Sequence, residues 1–276
     1  MEWLKRRLRG TLLHRILRSR SPRRPSGPAS ALGQQNANYD LQTVEVMRRL
    51  LRPDTHCVDI GAHKGDILQH IVRFAPTGAH HAFEALPHLA KELRARFPTV
   101  KVHQQAVGDA NGQAEFQHVE NDPAYSGLRR RIYDRPDPKI MPICVSVVTL
   151  DSVIPASQAI GFMKIDIEGG EYHALKGAVD TVRRGKPVIV LEAGSKSTGQ
   201  YGVTPAAMYH LITQELGYEL STMRRWLDRV AALTLVEFCH NWDNGPDYYF
   251  IATPSGLLAE PGPTPDSGRL WVSGAS

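Results

Sequence analysis

The chain contains 276 residues, of which 42% are hydrophobic and 22% are charged. This composition excludes a disordered chain and provides enough residues for one α/β domain. The apolar runs are too short to span a bilayer. The three cysteines, Cys57, Cys144 and Cys239, are widely spaced, which indicates a reducing compartment without a disulfide framework. We therefore expect a cytoplasmic protein.

The net charge of +5 is unevenly distributed along the chain. Residues 1–30 hold nine lysines and arginines and one glutamate, a balance of +8, so residues 31–276 carry −3. A slightly acidic body lacks the basic stripe of a nucleic-acid-binding core. The sequence therefore predicts no nucleic acid as a partner.

Residues 1–18 show the pattern of a basic amphipathic helix. Its apolar positions recur at i, i+4 and are Leu4, Leu8, Leu12 and Ile16. Such a helix could bind peripherally at the inner face of the membrane, pack on the domain or a partner, or target the chain to an organelle. Residues 19–35 are rich in Ser, Pro, Gly and Arg, which is typical of a flexible linker. Helix and linker together are expected to occupy residues 1–37.

Strand and helix patterns alternate through the predicted domain, residues 38–253. The predicted strands are 57–60, 81–83, 100–105, 114–119, 144–148, 162–167, 187–191, 218–223 and 248–252. The predicted helices are 40–51, 66–74, 87–97, 170–184 and 205–216. This alternation predicts an α/β fold with a largely parallel sheet covered by helices on both faces. Residues 254–276 are predicted to form a disordered tail.

A glycine-bearing turn follows the first predicted strand, in the run Cys57-Val58-Asp59-Ile60-Gly61-Ala62-His63-Lys64-Gly65-Asp66. Gly61 and Gly65 permit a sharp turn close to a ligand because neither has a Cβ. Asp59 adds a charge at the strand's carboxyl end, where open α/β sheets bind small molecules. The pattern predicts a nucleotide-type site; the alternative is a turn that only packs the strand tightly on its helix.

Glu84 ends the second predicted strand, about twenty residues beyond the glycine turn. A carboxylate at this place can accept hydrogen bonds from both hydroxyls of a ribose. Alternatively, Glu84 is an acid that stabilises the start of the helix after Pro87.

Three acids, Asp166, Glu168 and Glu192, follow two further strands and are expected to converge at the same edge of the sheet. Unpaired carboxylates are costly to gather, so the cluster predicts a cation, a positively charged substrate or a proton acceptor. The alternative is that some of them cap helices and that Lys164 or an arginine neutralises another.

Taken in order, these motifs resemble the FkbM family of class I S-adenosylmethionine-dependent methyltransferases. The resemblance covers about residues 40–195. Its carriers are Asp59-Ile60-Gly61-Ala62-His63-Lys64-Gly65, Phe83-Glu84-Ala85-Leu86-Pro87, Ala106-Val107-Gly108-Asp109, Ser126-Gly127-Leu128, Thr149-Leu150-Asp151, Lys164-Ile165-Asp166-Ile167-Glu168-Gly169-Gly170-Glu171 and Val190-Leu191-Glu192. The chain departs from the broader class in lacking a G-x-G-x-G turn.

The resemblance implies a Rossmann-like three-layer sandwich with a mostly parallel seven-stranded sheet, whose last strand, 248–252, is antiparallel. It also implies S-adenosylmethionine as cofactor. Gly61 and Ala62 would then contact its amino-acid part, Asp59 its ammonium, Glu84 its ribose and Asp109 its adenine. The complete expected cofactor set is Asp59, Gly61, Ala62, His63, Gly65, Glu84, Ala85, Asp109 and Asp166. A divalent metal is possible, but no spacing requires one.

The expected reaction is an in-line methyl transfer to a hydroxyl of a saccharide or another small natural product. A hydroxyl must lose its proton, which calls for a general base. The candidate bases are Asp166 and Glu168, ranked first, with His63, His173 and His240. Residues 240–245 are expected to form either an acceptor-binding loop or a solvent-exposed turn.

Two other functions compete with this interpretation. A nicotinamide-dependent oxidoreductase also places an acid about twenty residues after a glycine turn, but it would have a third glycine where this chain has Asp66. A methyltransferase-like scaffold would instead bind a membrane or partner through residues 1–18 without catalysis. The sequence leaves the oligomeric state open.

Overall fold

The computed structural model describes residues 31–133 and 137–256. The predicted amphipathic helix at 1–18 therefore lies outside the described residues, as do most of the predicted linker and nearly all of the predicted tail. The chain divides into one unit that ends at Asn38 and a second that begins at Tyr39. Within the described ranges, no helix combines the length and the hydrophobicity needed to cross a bilayer.

The strands and helices follow the predicted alternation. The strands are β1 His56–Ile60, β2 His81–Phe83, β3 Lys101–His103, β4 Ala106–Val107, β5 Gly112–Val119, β6 Ile140–Val148, β7 Ile160–Ile165, β8 Val188–Glu192, β9 Tyr218–Thr222 and β10 Tyr249–Pro254. The α-helices are α1 Ala31–Leu50, α2 Leu68–Phe74, α3 Pro87–Arg96, α4 Leu150–Val153, α5 Glu171–Lys176, α6 Val179–Gly185, α7 Pro205–His210, α8 Met223–Leu227 and α9 Leu235–Asn244.

Seven strands form the main sheet in the order β3-β2-β1-β7-β8-β10-β9. Strand β10 pairs antiparallel with both β8 and β9, and the other neighbours in the sheet pair parallel. The predicted class I sheet with an antiparallel last strand is thus confirmed. The strand extends to Pro254, two residues beyond its predicted end and into the segment predicted as a tail.

The alternation of side chains in the central strands builds two core layers. In β1, Val58 and Ile60 join the core on one face of the sheet, whereas Cys57 joins the core on the other face. Phe162 of β7 and Val190 of β8 share the face of Cys57. This second face is the one that carries the charged residues at the carboxyl ends of the strands.

A second sheet, ordered β4-β6-β5, interrupts the alternation between β3 and β7. Its long antiparallel hairpin pairs Gly112 with Val147 at one end and Val119 with Ile140 at the other. Phe116 and Val145 pack with Leu86 and Leu89 at the start of α3. The small sheet therefore lies beside Glu84, the residue that follows β2.

Three predicted segments differ from the structure by more than a few residues. Helix α1 covers Ala31–Leu50, so it includes the nine residues before the predicted helix and the last five of the predicted linker, and no proline lies within it. The predicted helix 170–184 is two helices, α5 and α6. It is interrupted at Gly177, where a Cβ would lie 2.0 Å from the carbonyl oxygen of Gly108.

The third difference concerns residues 240–245, for which the prediction of a loop was wrong. They form the end of α9, which closes at Gly245 in the left-handed conformation. Thr234 and Glu237 make a capping box at the start of this helix. Phe238 and Trp242, one turn apart, bury its apolar side.

Candidate active site

Charged residues from two central strands share one face at the carboxyl edge of the main sheet. Asp59 of β1 lies directly opposite Lys164 of β7 in the parallel register. Asp166 lies two residues beyond Lys164, and its N–H donates to the carbonyl of Ile60 at 3.0 Å. Because side chains alternate along a strand, Lys164 and Asp166 point to the same side as Asp59. The register therefore brings Asp59 and Asp166 to one ammonium group.

Lys164 contacts both of these acids and the glycine turn. Its Nζ lies 3.2 Å from Oδ2 of Asp166, 3.7 Å from Oδ1 of Asp59 and 3.3 Å from the carbonyl oxygen of Gly61. Burial lowers the pKa of Lys164, but Asp166 and Asp59 more than offset this effect and raise the pKa to about 12. The side chain is thus a buried ammonium.

Asp59 is the most deeply placed acid of the site. It is 1% exposed, and neither carboxylate oxygen has a hydrogen-bond partner within the described ranges beyond the contact with Lys164. Burial raises its pKa, and Lys164 opposes this rise. A buried carboxylate without hydrogen bonds is unusual in a folded protein, and it marks this place as one that can accept a donor.

The predicted convergence of Asp166, Glu168 and Glu192 is confirmed, since one carboxylate oxygen from each lies within 4.8 Å of the others. The expected neutralising partners are present too. Lys164 pairs with Asp166, and Arg131 pairs with Glu168. The cluster therefore carries much less net charge than three carboxylates would.

Asp166 and Glu192 share a hydrogen bond, and their pKa values shift in opposite directions. Burial raises the pKa of Asp166, but Lys164 and the hydroxyl of Tyr249 lower it to a net value below the ordinary one. For Glu192, burial and the charges of Asp166 and Glu171 raise the pKa well above its usual range. Of the two carboxyl groups, Glu192 therefore holds a proton more readily than Asp166 does.

Tyr249 reaches Asp166 from the antiparallel strand. It lies opposite Glu192 in the register of β10 with β8, and its hydroxyl donates a short hydrogen bond to Oδ2 of Asp166. The ring of Tyr39 from α1 stacks on Tyr249 with 5.0 Å between ring centroids. Tyr39 in turn donates to Asp247 at 3.1 Å. Helix α1 thus supports the group that orients Asp166.

The turn after β7 presents Glu168 in a left-handed conformation, with φ of 60°. Glu171 stabilises this turn through hydrogen bonds to its backbone. It is fully buried, and its Oε1 accepts the N–H groups of Ile167 and Gly169, both at 3.1 Å. The hydroxyl of Thr198 donates to its other oxygen at 3.0 Å. Glu171 therefore holds the backbone that aims Glu168, a role that the sequence did not show.

The connection between β5 and β6 covers Glu168. Its Arg131 is 9% exposed in the side chain and pairs with that carboxylate, and the guanidinium lies 5.1 Å from the ring centre of Tyr125. Two residues earlier, the N–H of Arg129 donates to the hydroxyl of Tyr201 at 3.1 Å. This basic connection is a second element that sequence reasoning did not place at the site.

The glycine turn approaches the rest of the protein more closely than its sequence alone indicates. Gly61 has φ of 78°, and a Cβ there would lie 1.8 Å from the carbonyl oxygen of Asp166. The N–H groups of Gly61 and Ala62 both donate to the carbonyl of Phe83, at 2.9 and 3.1 Å. Both N–H groups are thus already bonded within the protein. The carbonyl of Gly61 accepts from Lys164 and faces the charged site.

Packing explains why residue 65 is a glycine. It has φ of 80°, and a Cβ would lie 2.5 Å from the ring of Phe97 and 2.9 Å from Leu93. These contacts set α2 against α3. The alternative of tight packing thus explains Gly65, whereas a contact between Gly65 and a ligand stays a prediction.

Glu84 connects the second strand to the glycine turn. Its Oε2 accepts the N–H of His63 and its Oε1 accepts the N–H of Leu86, both at 2.9 Å. Burial raises the pKa of Glu84, and these two hydrogen bonds oppose the rise. Each carboxylate oxygen keeps a second lone pair for a ligand hydroxyl. Ala85 is buried beside it and joins the core under the small sheet.

The predicted histidines differ in their surroundings. His63 has φ of 47°, and its Nε2 is buried without a hydrogen-bond partner in the part of the chain that the structure describes. Burial lowers its pKa, as does Lys64. His173 lies with Nδ1 2.8 Å from Oδ2 of Asp109, which is half exposed after β4. His240 is exposed on α9.

The fold is that of a class I methyltransferase. The sequence matches the family model of the methyltransferase FkbM domain over residues 59–220. The chain belongs to the FkbM methyltransferase family. This assignment favours the methyltransferase interpretation over the oxidoreductase alternative. Comparison with curated proteins gives no match.

Several solved structures are similar in fold. The methyltransferase FkbM from Methylobacillus flagellatus is 17% identical with a TM-score of 0.45, over 73% of this chain and 44% of that chain. A precorrin-6y C5,15-methyltransferase from Geobacter metallireducens is 16% identical with a TM-score of 0.39, over 67% and 73%. An S-adenosylmethionine-dependent O-methyltransferase from Thermotoga maritima is 12% identical with a TM-score of 0.38, over 89% and 71%. The chain thus spans less than half of the Methylobacillus protein.

Proposed function

We propose that this protein transfers the methyl group of S-adenosylmethionine to a hydroxyl of a small acceptor, such as a saccharide. The observation that carries the proposal is the acidic site at the carboxyl edge of the sheet, where Asp59 and Asp166 flank one ammonium and Glu192 lies beside Asp166. A site of this charge suits a cationic ligand better than a pyrophosphate. When bound, the cofactor supplies an electrophilic methyl group on a sulfonium.

The residues present fit such a cofactor. Asp59 offers two buried carboxylate oxygens without hydrogen bonds, and the Gly61 carbonyl already accepts from an ammonium. Glu84, fixed by two backbone N–H groups, would accept the ribose hydroxyls. Asp109, which follows β4, would accept from the adenine amino group. In that role, the carboxylate of Asp109 would contact both the ligand and His173.

Asp166 is the residue that we assign as the proton acceptor. Its side chain is 25% exposed, whereas that of Glu168 is 14% exposed and paired with Arg131. Lys164 and Tyr249 lower the pKa of Asp166 and so favour its ionised form, and Glu192 shares a hydrogen bond with it. An acceptor hydroxyl that donates to Asp166 would be aligned and partly deprotonated as the methyl group moves. The acids could also hold a metal, but the two cations already balance much of their charge.

Calorimetric titration with S-adenosylhomocysteine and with NAD tests the cofactor assignment. We expect saturable binding of the former and none of the latter. A radiolabelled methyl donor, incubated with a panel of saccharides and other alcohols, then tests transfer. In the Asp166→Asn variant we expect methyl transfer at saturating cofactor to fall by about 10²–10⁴-fold. Cofactor binding without transfer to any hydroxylated acceptor would contradict the proposed activity and support the scaffold function.

A further inference from the structure

Lys164 occupies a cage of three oxygen atoms that converge on one cation. The cage consists of Oδ2 of Asp166 at 3.2 Å, the carbonyl oxygen of Gly61 at 3.3 Å and Oδ1 of Asp59 at 3.7 Å. The lysine side chain is 8% exposed and comes from the carboxyl end of the core strand β7. A buried ammonium is stable only when such oxygens replace its water. The cage is therefore a binding place for an ammonium group.

The groups of this cage overlap with those that we assign to the amino-acid part of the cofactor. Asp59 and the Gly61 carbonyl are the expected acceptors for its α-ammonium. Asp59 is 1% exposed, and Lys164 is the cation beside it. Two ammonium groups placed against the same buried oxygens would repel each other. A ligand ammonium can therefore reach Asp59 only if Lys164 gives up its place.

We propose that Lys164 is an internal stand-in for the ammonium group of the cofactor and leaves the cage when the cofactor binds. The inference rests on the proposed function, because it requires a ligand with an ammonium group at this edge of the sheet. The exchange keeps one cation among Asp59, Asp166 and the Gly61 carbonyl in both states. Without ligand, Lys164 opposes protonation of Asp59 and Asp166 and holds the cage oxygens together.

We expect the displaced ammonium to move towards Asp40 of α1. Burial raises the pKa of this carboxyl, and among the charges that lower it Lys164 has the largest effect. Asp40 belongs to the same helix as Tyr39, which supports Tyr249 and through it Asp166. The flexible four-carbon stem of a lysine allows such a movement without a change in β7.

Calorimetry with two ligands tests the proposal without any acceptor. S-Adenosylhomocysteine carries the ammonium, whereas 5′-methylthioadenosine shares the nucleoside thioether and lacks the amino-acid part. In Lys164→Met, the cage is unoccupied and no cation has to be displaced. We expect this variant to bind S-adenosylhomocysteine roughly tenfold tighter than wild type does, which corresponds to 1.4 kcal/mol. Its affinity for 5′-methylthioadenosine should stay within about twofold.

Lys176→Met is the matched control, because Lys176 also pairs with a carboxylate, Glu215 at 3.2 Å, but lies on α5. It should change neither affinity. Weaker binding of S-adenosylhomocysteine alone in Lys164→Met would mean that Lys164 contacts the ligand's carboxylate, and this would overturn the proposal. If the affinities for both ligands changed equally, or neither changed, Lys164 would have only a structural role, and the proposal would be overturned.

Lys164→Arg decides the question if the methionine variant does not fold. It keeps the charge that Asp59 needs, but its larger planar cation is harder to displace from the cage. We expect weaker binding of S-adenosylhomocysteine and unchanged binding of 5′-methylthioadenosine; unchanged or tighter binding of the former would refute the stand-in role. Failure of wild type to bind either ligand would instead refute the proposed function.

Discussion

Removal of the Tyr249 hydroxyl tests whether Asp166 is held as the structure indicates. In Tyr249→Phe, Asp166 loses a donor to its ionised carboxylate, while the ring that stacks on Tyr39 remains. A hydrogen bond to a charged group is worth about 1.5–3 kcal/mol. Since Tyr249 is partly exposed, we expect the lower value, about 1.5 kcal/mol of unfolding free energy. For a domain of this size, that loss lowers the Tm by about 3–6 °C.

The chain offers a matched control in the same sheet. Tyr218 is buried on β9, and its hydroxyl has no hydrogen-bond partner over the ranges that the structure describes. Tyr218→Phe removes the same atom but relieves an unsatisfied polar group, so it should leave stability unchanged or raise it by up to about 1 kcal/mol. Urea and thermal unfolding at neutral pH measure both variants.

The difference in unfolding free energy between wild type and Tyr249→Phe should change with pH in a definite direction. In the folded protein the pKa of Asp166 lies below its ordinary value of 3.8, so its contribution to stability is complete above that value. The contribution is lost as the pH falls through the folded pKa. The gap between wild type and Tyr249→Phe should therefore narrow in acid. Equal stability of the two proteins at neutral pH, or an equal loss in Tyr218→Phe, would refute the assigned contact.

Three further predictions concern other parts of the site and the sheet. Gly61→Ala should unfold several degrees lower than Gly202→Ala in thermal scans, because both glycines have φ near 78° but a Cβ at Gly202 has nothing within 4 Å. Glu84→Gln should weaken S-adenosylhomocysteine binding about tenfold or more in calorimetry while remaining folded by circular dichroism, because a charged acceptor for the ribose is lost. Burial lowers the pKa of His103 to about 4, so the folded state resists its protonation. Stability that is present above pH 6.5 should fall by about 1–3 kcal/mol towards pH 4, because the shift corresponds to about 3 kcal/mol before it is reduced for the partial exposure of His103. His103→Gln should flatten that part of the urea-unfolding profile.

The sequence predicted the parts of the site that depend on local pattern. The convergence of Asp166, Glu168 and Glu192 followed from two rules, that parallel strands end at one edge and that side chains alternate. The glycines of the turn after β1 and the acid that follows β2 were predicted from the same local pattern. The kind of ligand that each could bind followed from the residue types.

The parts that could not be predicted depend on register and on distant segments. Tyr249 meets Asp166 only because β10 pairs antiparallel with β8 so that Tyr249 lies opposite Glu192. Arg131 reaches Glu168 from the connection between β5 and β6, and no local period links the two residues. The loop predicted at 240–245 failed for a different reason: the capping box at Thr234 starts a helix whose last turns look polar in sequence.

The balance of charge links the site to the proposed cofactor. Asp59, Asp166, Glu168 and Glu192 stand against Lys164 and Arg131, so acidic side chains outnumber basic ones at this edge of the sheet. We expect such a site to favour a ligand with a net positive charge. S-Adenosylmethionine has one, with a sulfonium and an ammonium against one carboxylate, whereas the product after methyl transfer is a neutral zwitterion. We therefore expect the site to hold the methyl donor more tightly than the spent cofactor.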